Sequence, residues 1–172
     1  MNLDKITFIA LDVDGTMTDG GIYIDNNLVE TKKFNIKDGL GIVLAQSVGV
    51  EFIIITGRLS SCVEQRAKEL SIKYVVQGIQ DKAAYLKDFA SVHNISPDCI
   101  AYIGDDLNDL MAMQYAGVSV CPSDASAEVR AYCDFVLLEK GGEGVVRAFV
   151  ELLLKKKKLW EKAISNLYPL SI

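Results

Sequence analysis

The stretch FIALDVDGTMTDG, Phe8 to Gly20, decides how the rest of the chain is read. An aliphatic run ends in two aspartates, Asp12 and Asp14, with one valine between them. Dense aliphatic runs without alternation are the pattern of strands buried on both faces of a parallel sheet. Acids that close such a run sit where open α/β sheets present ligands, outside the carboxyl ends of the strands. Residues i and i+2 of a strand share a face, so the spacing predicts that both carboxylates address one ligand.

Working outward, further short apolar runs predict strands over Thr7–Val13, Phe52–Ile55, Tyr74–Val76, Ile100–Ile103, Val118–Cys121 and Phe135–Leu138. Amphipathic segments between them predict helices over Asp38–Ser47, Ser61–Leu70, Lys82–His93, Leu107–Tyr115 and Gly144–Trp160. Ser61 and Glu64 have the spacing of a capping box. Regular strand–helix alternation reads as an α/β fold with a doubly wound, mostly parallel sheet, filling a single domain over residues 1–172. One segment breaks the alternation. Gly21 to Phe34 has two β-prone arms around Asp25-Asn26-Asn27, where asparagine tolerates positive φ, and reads as a projecting hairpin. Residues 166–172 are expected to trail the last helix as a tail.

The strand ends gather chemistry. The first carries Asp12 and Asp14, the second Thr56-Gly57-Arg58, and the fourth Gly104-Asp105-Asp106 with Asp109 one turn further; Lys82 opens the helix after the third. Five carboxylates on one sheet edge repel one another in a cleft of lowered dielectric. A hard dication removes that repulsion, and an all-oxygen donor set suits Mg²⁺, which keeps waters and a phosphate oxygen in its shell. A threonine hydroxyl and an ammonium beside such an ion are then natural phosphate ligands. Solvated turn aspartates would account for one or two of these acids, not five at the ends of two apolar runs.

Bulk properties narrow the classes. The chain has 172 residues, half of them hydrophobic and 24% charged, with a net charge of −5. That balance argues against a nucleic-acid partner, and the apolar runs are too short for a membrane span. The N-terminus shows no cleavable signal pattern. The four cysteines, Cys62, Cys99, Cys121 and Cys133, lack CxxC or zinc spacing and read as reduced, mostly packed thiols of a cytoplasmic protein. Lys155 to Lys158 reads as a solvated helix end. His93 falls at a helix end away from the acidic edge. Cys62 lacks the arginine that a cysteine phosphatase loop requires six residues on, where Lys68 stands.

DVDGT, ITGR, DK and GDDLND, in this order between Asp12 and Asp109, resemble the four motifs of the haloacid dehalogenase superfamily of phosphotransferases. The resemblance implies a Rossmann-like core with Asp12 as the nucleophile that becomes an aspartyl phosphate. It implies that Asp14 protonates the leaving alcohol and then activates water. Thr56 and Lys82 would hold the phosphoryl oxygens. Asp12, the Asp14 carbonyl and Asp105 would bind Mg²⁺, with Asp106 and Asp109 supporting from nearby. Superfamily members usually carry an inserted cap, but the 39 residues from Met17 to Ile55 and the 22 from Ala83 to Gly104 leave no room for one.

The stretches DVDGTMTDGGIYI, FNIKDGLGI, ITGRLSSCVEQRAKEL, QGIQDK and GGEGVVRAF are similar to the capless 3-deoxy-D-manno-octulosonate 8-phosphate phosphatase family and relatives acting on sialic-acid-type 9-phosphates. That resemblance implies a phosphorylated sugar acid as substrate and a homotetramer. It assigns substrate contacts to Asp14, Asn35, Ile36, Lys37, Asp38, Gly39, Gly57, Arg58, Arg66 and Lys82. Arg58 points to the octulosonate branch, while Val43 stands where that branch can carry a basic residue. Two readings from other classes stay beside this one. A receiver domain uses a similar acidic pocket, but its phosphoacceptor lies on the third strand, and Tyr74–Val76 is followed here by Gln77-Gly78. A phosphatase-like domain kept for assembly would have no need of the complete acidic set.

Overall fold

The computed structural model describes residues 2–169. Six strands form one parallel sheet in the order β5-β4-β1-β6-β7-β8: β1 (Phe8–Leu11), β4 (Glu51–Ile55), β5 (Tyr74–Val76), β6 (Ile100–Ile103), β7 (Val118–Cys121) and β8 (Phe135–Val136). The hairpin pairs β2 (Tyr23–Ile24) with β3 (Glu30–Thr31) as a separate antiparallel ribbon. Helices α1 (Ile36–Gln46), α2 (Ser61–Glu69), α3 (Lys82–Val92), α4 (Leu110–Tyr115), α5 (Ala127–Tyr132), α6 (Val145–Lys156) and α7 (Trp160–Leu167) complete the order.

The unbroken aliphatic runs have a direct cause, because both faces of the sheet are covered. Ile9, Leu11, Phe52, Ile54, Ala101 and Ile103 join Ile42, Val63, Val146 and Phe149 in one core. The alternate residues Phe8, Ala10, Ile53, Ile55, Ile100 and Tyr102 join Leu86, Phe89, Met113 and Val129 in the other. Each fully buried large aliphatic side chain contributes about 1.5–3 kcal/mol, so the central strands anchor the sheet edge that carries the acids.

Several boundaries differ from the sequence reading. The first strand stops at Leu11 instead of Val13, and β8 at Val136 instead of Leu138. Helix α1 begins at Ile36, two residues early, because the Asn35 side chain accepts from Lys37 N at 2.8 Å and caps it. The Ser61–Glu64 capping box does not form. Ser60 occupies the N-cap, its N–H donates to Gln77 Oε1 at 2.7 Å, and Gln77 Nε2 donates to Glu64. Leu107–Asp109 is a 3-10 turn ahead of α4, and the six-residue α5 was too short to show a period. The single helix expected over Gly144–Trp160 is two. Lys158 takes φ +56°, and the reversal brings Trp160, Ile164 and Leu167 onto the core beside α1 instead of into water. Asn166 and Leu167 therefore belong to α7, and residues 170–172 of the expected tail lie outside the described residues.

The hairpin forms as expected, with one change in its turn. Asp25 Oδ1 accepts from Asn27 N and Val29 N, and the left-handed residue is Leu28 (φ +62°), not an asparagine. No cap is inserted among the described residues, and no helix there is long and apolar enough to cross a membrane.

Candidate active site

The acidic edge is built by the turn after β1. Asp12 N donates to Ile103 O at 3.0 Å, extending the β1–β6 ladder one residue past the strand, and the N–H groups of Thr16, Met17 and Thr18 converge on the Val13 carbonyl. Asp12 and Asp14 thus line the same cleft, but through this turn and not through the pleat of a strand, as the i, i+2 argument supposed. Gly15 has φ +91°, and a Cβ there would overlap the Asp105 carboxylate. The loop before α6 clamps the turn from outside. Gly142 N donates to Thr16 O at 2.9 Å, and a Cβ on Gly141 would run into the Gly15 carbonyl.

Asp12, Thr56, Lys82 and Asp109 are buried. Lys82 Nζ donates to Asp12 Oδ1 at 2.5 Å and to Asp109 Oδ1 at 2.7 Å. Tyr102 OH donates to the same Asp109 oxygen at 2.8 Å, and the Asp105 and Asp106 N–H groups donate to Oδ2 at 3.1 and 3.4 Å. All four lone-pair positions of the Asp109 carboxylate are therefore taken by protein donors. Asp106 caps the following 3-10 turn through Leu107 N.

A cleft of about 210 Å³ is lined by Asp12, Asp14, Thr56, Gly57, Arg58, Asp105, Asp106 and Asn108. A larger open groove of about 960 Å³ along α6, past Lys37, Arg147 and Lys155, contains none of these acids. The chemistry therefore lies in the smaller cleft.

The acids strain against one another. Burial, then Asp109, pushes Asp12 up to about 7 against the pull of Lys82. Burial, then Asp12 and Asp109, pushes Asp105 up to about 8. Burial pulls Lys82 down, yet the two carboxylates outweigh it and hold the ammonium above its ordinary value. Asp12, Asp105 and Asp109 each offer an oxygen within 4.8 Å of the others. With Asp109 saturated, Asp12 and Asp105 are the carboxylates left to meet a cation. Among the described residues the Asp105 carboxylate receives only one long bond, from the Thr16 hydroxyl at 3.4 Å. An all-oxygen, anion-rich donor set of this kind fits Mg²⁺.

The other expected substrate residues form a separate patch within the same chain. Asn35 Nδ2 donates to Gly142 O, Asp38 is buried and accepts from Arg147 N at 2.7 Å, and Arg66 Nη2 donates to Asn35 O at 3.3 Å over the Cα of Gly39. Ile36 and Lys37 are exposed. The cap at Asn35 starts α1 here, the stretch packs against α6 and α2, and none of these residues lines the acidic cleft.

Sequence reasoning missed Tyr102, Asn108, Glu30 and Lys32. Tyr102 carried a signal, since a hydroxyl in a fully buried strand needs a partner.

The chain is similar in sequence and fold to known proteins. A profile of haloacid dehalogenase-like hydrolases matches residues 77–149. Over 151 residues the chain is 40% identical to the 3-deoxy-D-manno-octulosonate 8-phosphate phosphatase of Escherichia coli K12, covering 88% of this chain and 80% of that protein. The chain belongs to this phosphatase family. The Moraxella catarrhalis phosphatase of the family, solved in complex with magnesium, phosphate and KDO, superposes with a TM-score of 0.92 at 38% identity, over 95% of this chain and 94% of that one. The cobalt-bound enzyme of Haemophilus influenzae gives 0.88 at 32% identity, over 92% of each chain.

Proposed function

We propose that this phosphatase hydrolyses a phosphorylated sugar acid, 3-deoxy-D-manno-octulosonate 8-phosphate, through an aspartyl phosphate on Asp12. The observation that carries the reading is Asp12 itself. It is a buried carboxylate at the mouth of the sheet, with one oxygen fixed by a fully buried ammonium, in a cleft it shares with Asp14 and Thr56.

In this reading Asp12 attacks the phosphorus while Thr56 and Lys82 hold the phosphoryl oxygens. Asp14 gives a proton to the departing sugar oxygen and later takes one from the water that releases phosphate. Asp12, Asp105 and the Asp14 carbonyl would hold Mg²⁺, which when bound supplies the positive charge that lets an anionic nucleophile approach an anionic phosphate. Asp109 orients Lys82 and the turn that carries Asp105. Gly57 and Arg58 face the sugar acid, because a guanidinium pairs well with a carboxylate. Arg58 in the cleft favours the octulosonate over a nonulosonate 9-phosphate.

Phosphate release measured on a panel of sugar-acid phosphates and hexose phosphates tests this. Turnover should be highest on the octulosonate 8-phosphate, should vanish on chelation, and should return with Mg²⁺ but poorly with Ca²⁺, whose larger, looser shell misplaces the nucleophile. Full activity after exhaustive chelation, or indifference to the sugar, contradicts the reading.

The same reading includes a homotetramer and a cytoplasmic setting, the latter supported by four free thiols. The hairpin exposes Ile22 (60%), Ile24 (60%), Leu28 (86%) and Val29 (54%), and a two-stranded ribbon is marginal alone in water. Pairing among copies around a symmetry axis would cover these residues. A neighbouring copy would also add surface beside the patch of Asn35, Ile36, Lys37, Asp38, Gly39 and Arg66, which does not line the cleft within one chain. Wild-type protein should sediment as a tetramer, and Ile24→Glu with Leu28→Glu should give smaller particles with several-fold lower turnover. A fully active monomer at assay concentration would rule this out.

A further inference from the structure

The inner edge of the hairpin bears on the cleft of its own chain. Lys32 follows β3, and its side chain is only 2% exposed although Thr31 and Lys33 on either side are open. Its ammonium contacts Asp14 Oδ1 and lies 3.3 Å from Glu30 Oε1. Arg58 closes the other side, with Nη2 2.6 Å from Glu30 Oε2 and Nε 3.9 Å from Asp14 Oδ2. Four charges of alternating sign thus form a ring at the mouth of the cleft. A buried ammonium needs paired anions, and Lys32 has two, one of them the proton-handling carboxylate of the reading above.

The two oxygens of Asp14 are not equivalent. Oδ1 is taken by Lys32, whereas among the described residues Oδ2 has only the Arg58 contact, beyond hydrogen-bond distance. We propose that Lys32 is the positioning residue for Asp14, pinning Oδ1 and leaving Oδ2 as the oxygen that carries the proton. The inference rests on the phosphatase mechanism proposed above. In the first step an Asp12 oxygen bonds to phosphorus, the phosphorus–sugar oxygen bond breaks, and its electron pair takes the proton from Asp14 Oδ2. The negative charge left on Asp14 forms beside a fixed ammonium, an arrangement that favours the transition state. In the second step a water oxygen bonds to phosphorus, its proton returns to Oδ2, and the bond to Asp12 breaks to release phosphate. Lys32 exchanges no proton in either step.

Leaving-group dependence separates this role from a merely structural ion pair. A sugar alkoxide leaves only with a proton, whereas 4-nitrophenolate leaves without one. First-turnover rates of alcohol or phenol release, followed by rapid quench in Mg²⁺, isolate the first step. Lys32→Met should slow release from the octulosonate phosphate about 100-fold, the low end of what general acid catalysis supplies, and release from 4-nitrophenyl phosphate less than tenfold. Lys32→Arg should restore most of the loss. The double variant Lys32→Met/Asp14→Asn should be no slower than Asp14→Asn. Equal losses on both substrates, or additive losses in the double variant, would overturn the proposal while leaving the role of Asp14 intact. If Asp14→Asn itself slows both substrates equally, the acid role of Asp14 falls, and with it the inference. Lys32→Gln, with circular dichroism as a check on folding, replaces the methionine variant should that one fail to fold, and is expected to show the same selectivity.

Discussion

Asp12→Asn is expected to lower turnover by on the order of 10⁶-fold, the scale seen when a covalent nucleophile is removed and only binding remains. The amide is nearly isosteric, and its oxygen can still accept from Lys82, which now donates to Asp12 Oδ1 at 2.5 Å. It cannot form an acyl phosphate. The variant should therefore fold, bind the sugar-acid phosphate and release no phosphate. Stability should move little, because burial and Asp109 already disfavour the charged form of Asp12 while Lys82 favours it. Phosphate release, with thermal unfolding as the control, checks this, and near-normal turnover would exclude Asp12 as the nucleophile.

Asp109→Asn should do the opposite and damage the fold as well as the rate. Asp109 is fully buried and accepts four bonds, from Lys82, the Tyr102 hydroxyl and two backbone N–H groups. An asparagine presents an NH₂ to donors on one side or the other and removes a charge partner from a buried lysine. Breaking a buried, hydrogen-bonded ion pair costs about 3–5 kcal/mol; at the lower figure a chain of this size loses about 6–12 °C in melting temperature. Turnover should fall at least about 100-fold, because Lys82 and the turn carrying Asp105 both lose their anchor. Asp106→Asn offers the contrast. Asp106 is exposed and caps Leu107 N at 2.8 Å, and asparagine caps as well as aspartate, so the melting temperature should barely change. Equal effects of the two substitutions on melting would contradict this assignment of anchors.

The sheet was legible because its strands are buried on both faces. Only that environment writes Ile53-Ile54-Ile55 or Ile100-Ala101-Tyr102-Ile103 without alternation. The acidic edge was legible because the parallel order places every strand end on one side, so Asp12, Thr56 and Asp105 line one cleft and Lys82 reaches it through its bond to Asp12. Local competition hid the rest. Gln77 holds Ser60 N and the Glu64 carboxylate, so the cap falls on Ser60 and the expected Ser61–Glu64 box does not close, and a left-handed Lys158 breaks a helix whose apolar period runs on into α7. Lys32 and Glu30 were invisible because their partners Asp14 and Arg58 are brought near only by the folding back of the hairpin, 18 and 28 residues away in sequence. Nothing local in VETKKF distinguishes a buried lysine from its solvated neighbour.

The central claim is a covalent phosphoryl group on Asp12, and chemical trapping tests it most directly. Enzyme mixed with the octulosonate 8-phosphate and Mg²⁺, quenched within the first turnover and reduced with borohydride, should yield homoserine at position 12 in the peptide that contains Phe8 to Gly20. The yield should rise in Asp14→Asn, where hydrolysis of the intermediate lacks its base, and should be nil in Asp12→Asn. Stoichiometric release of the sugar in the first turnover with position 12 unmodified, or with the reduced residue elsewhere, would contradict the account.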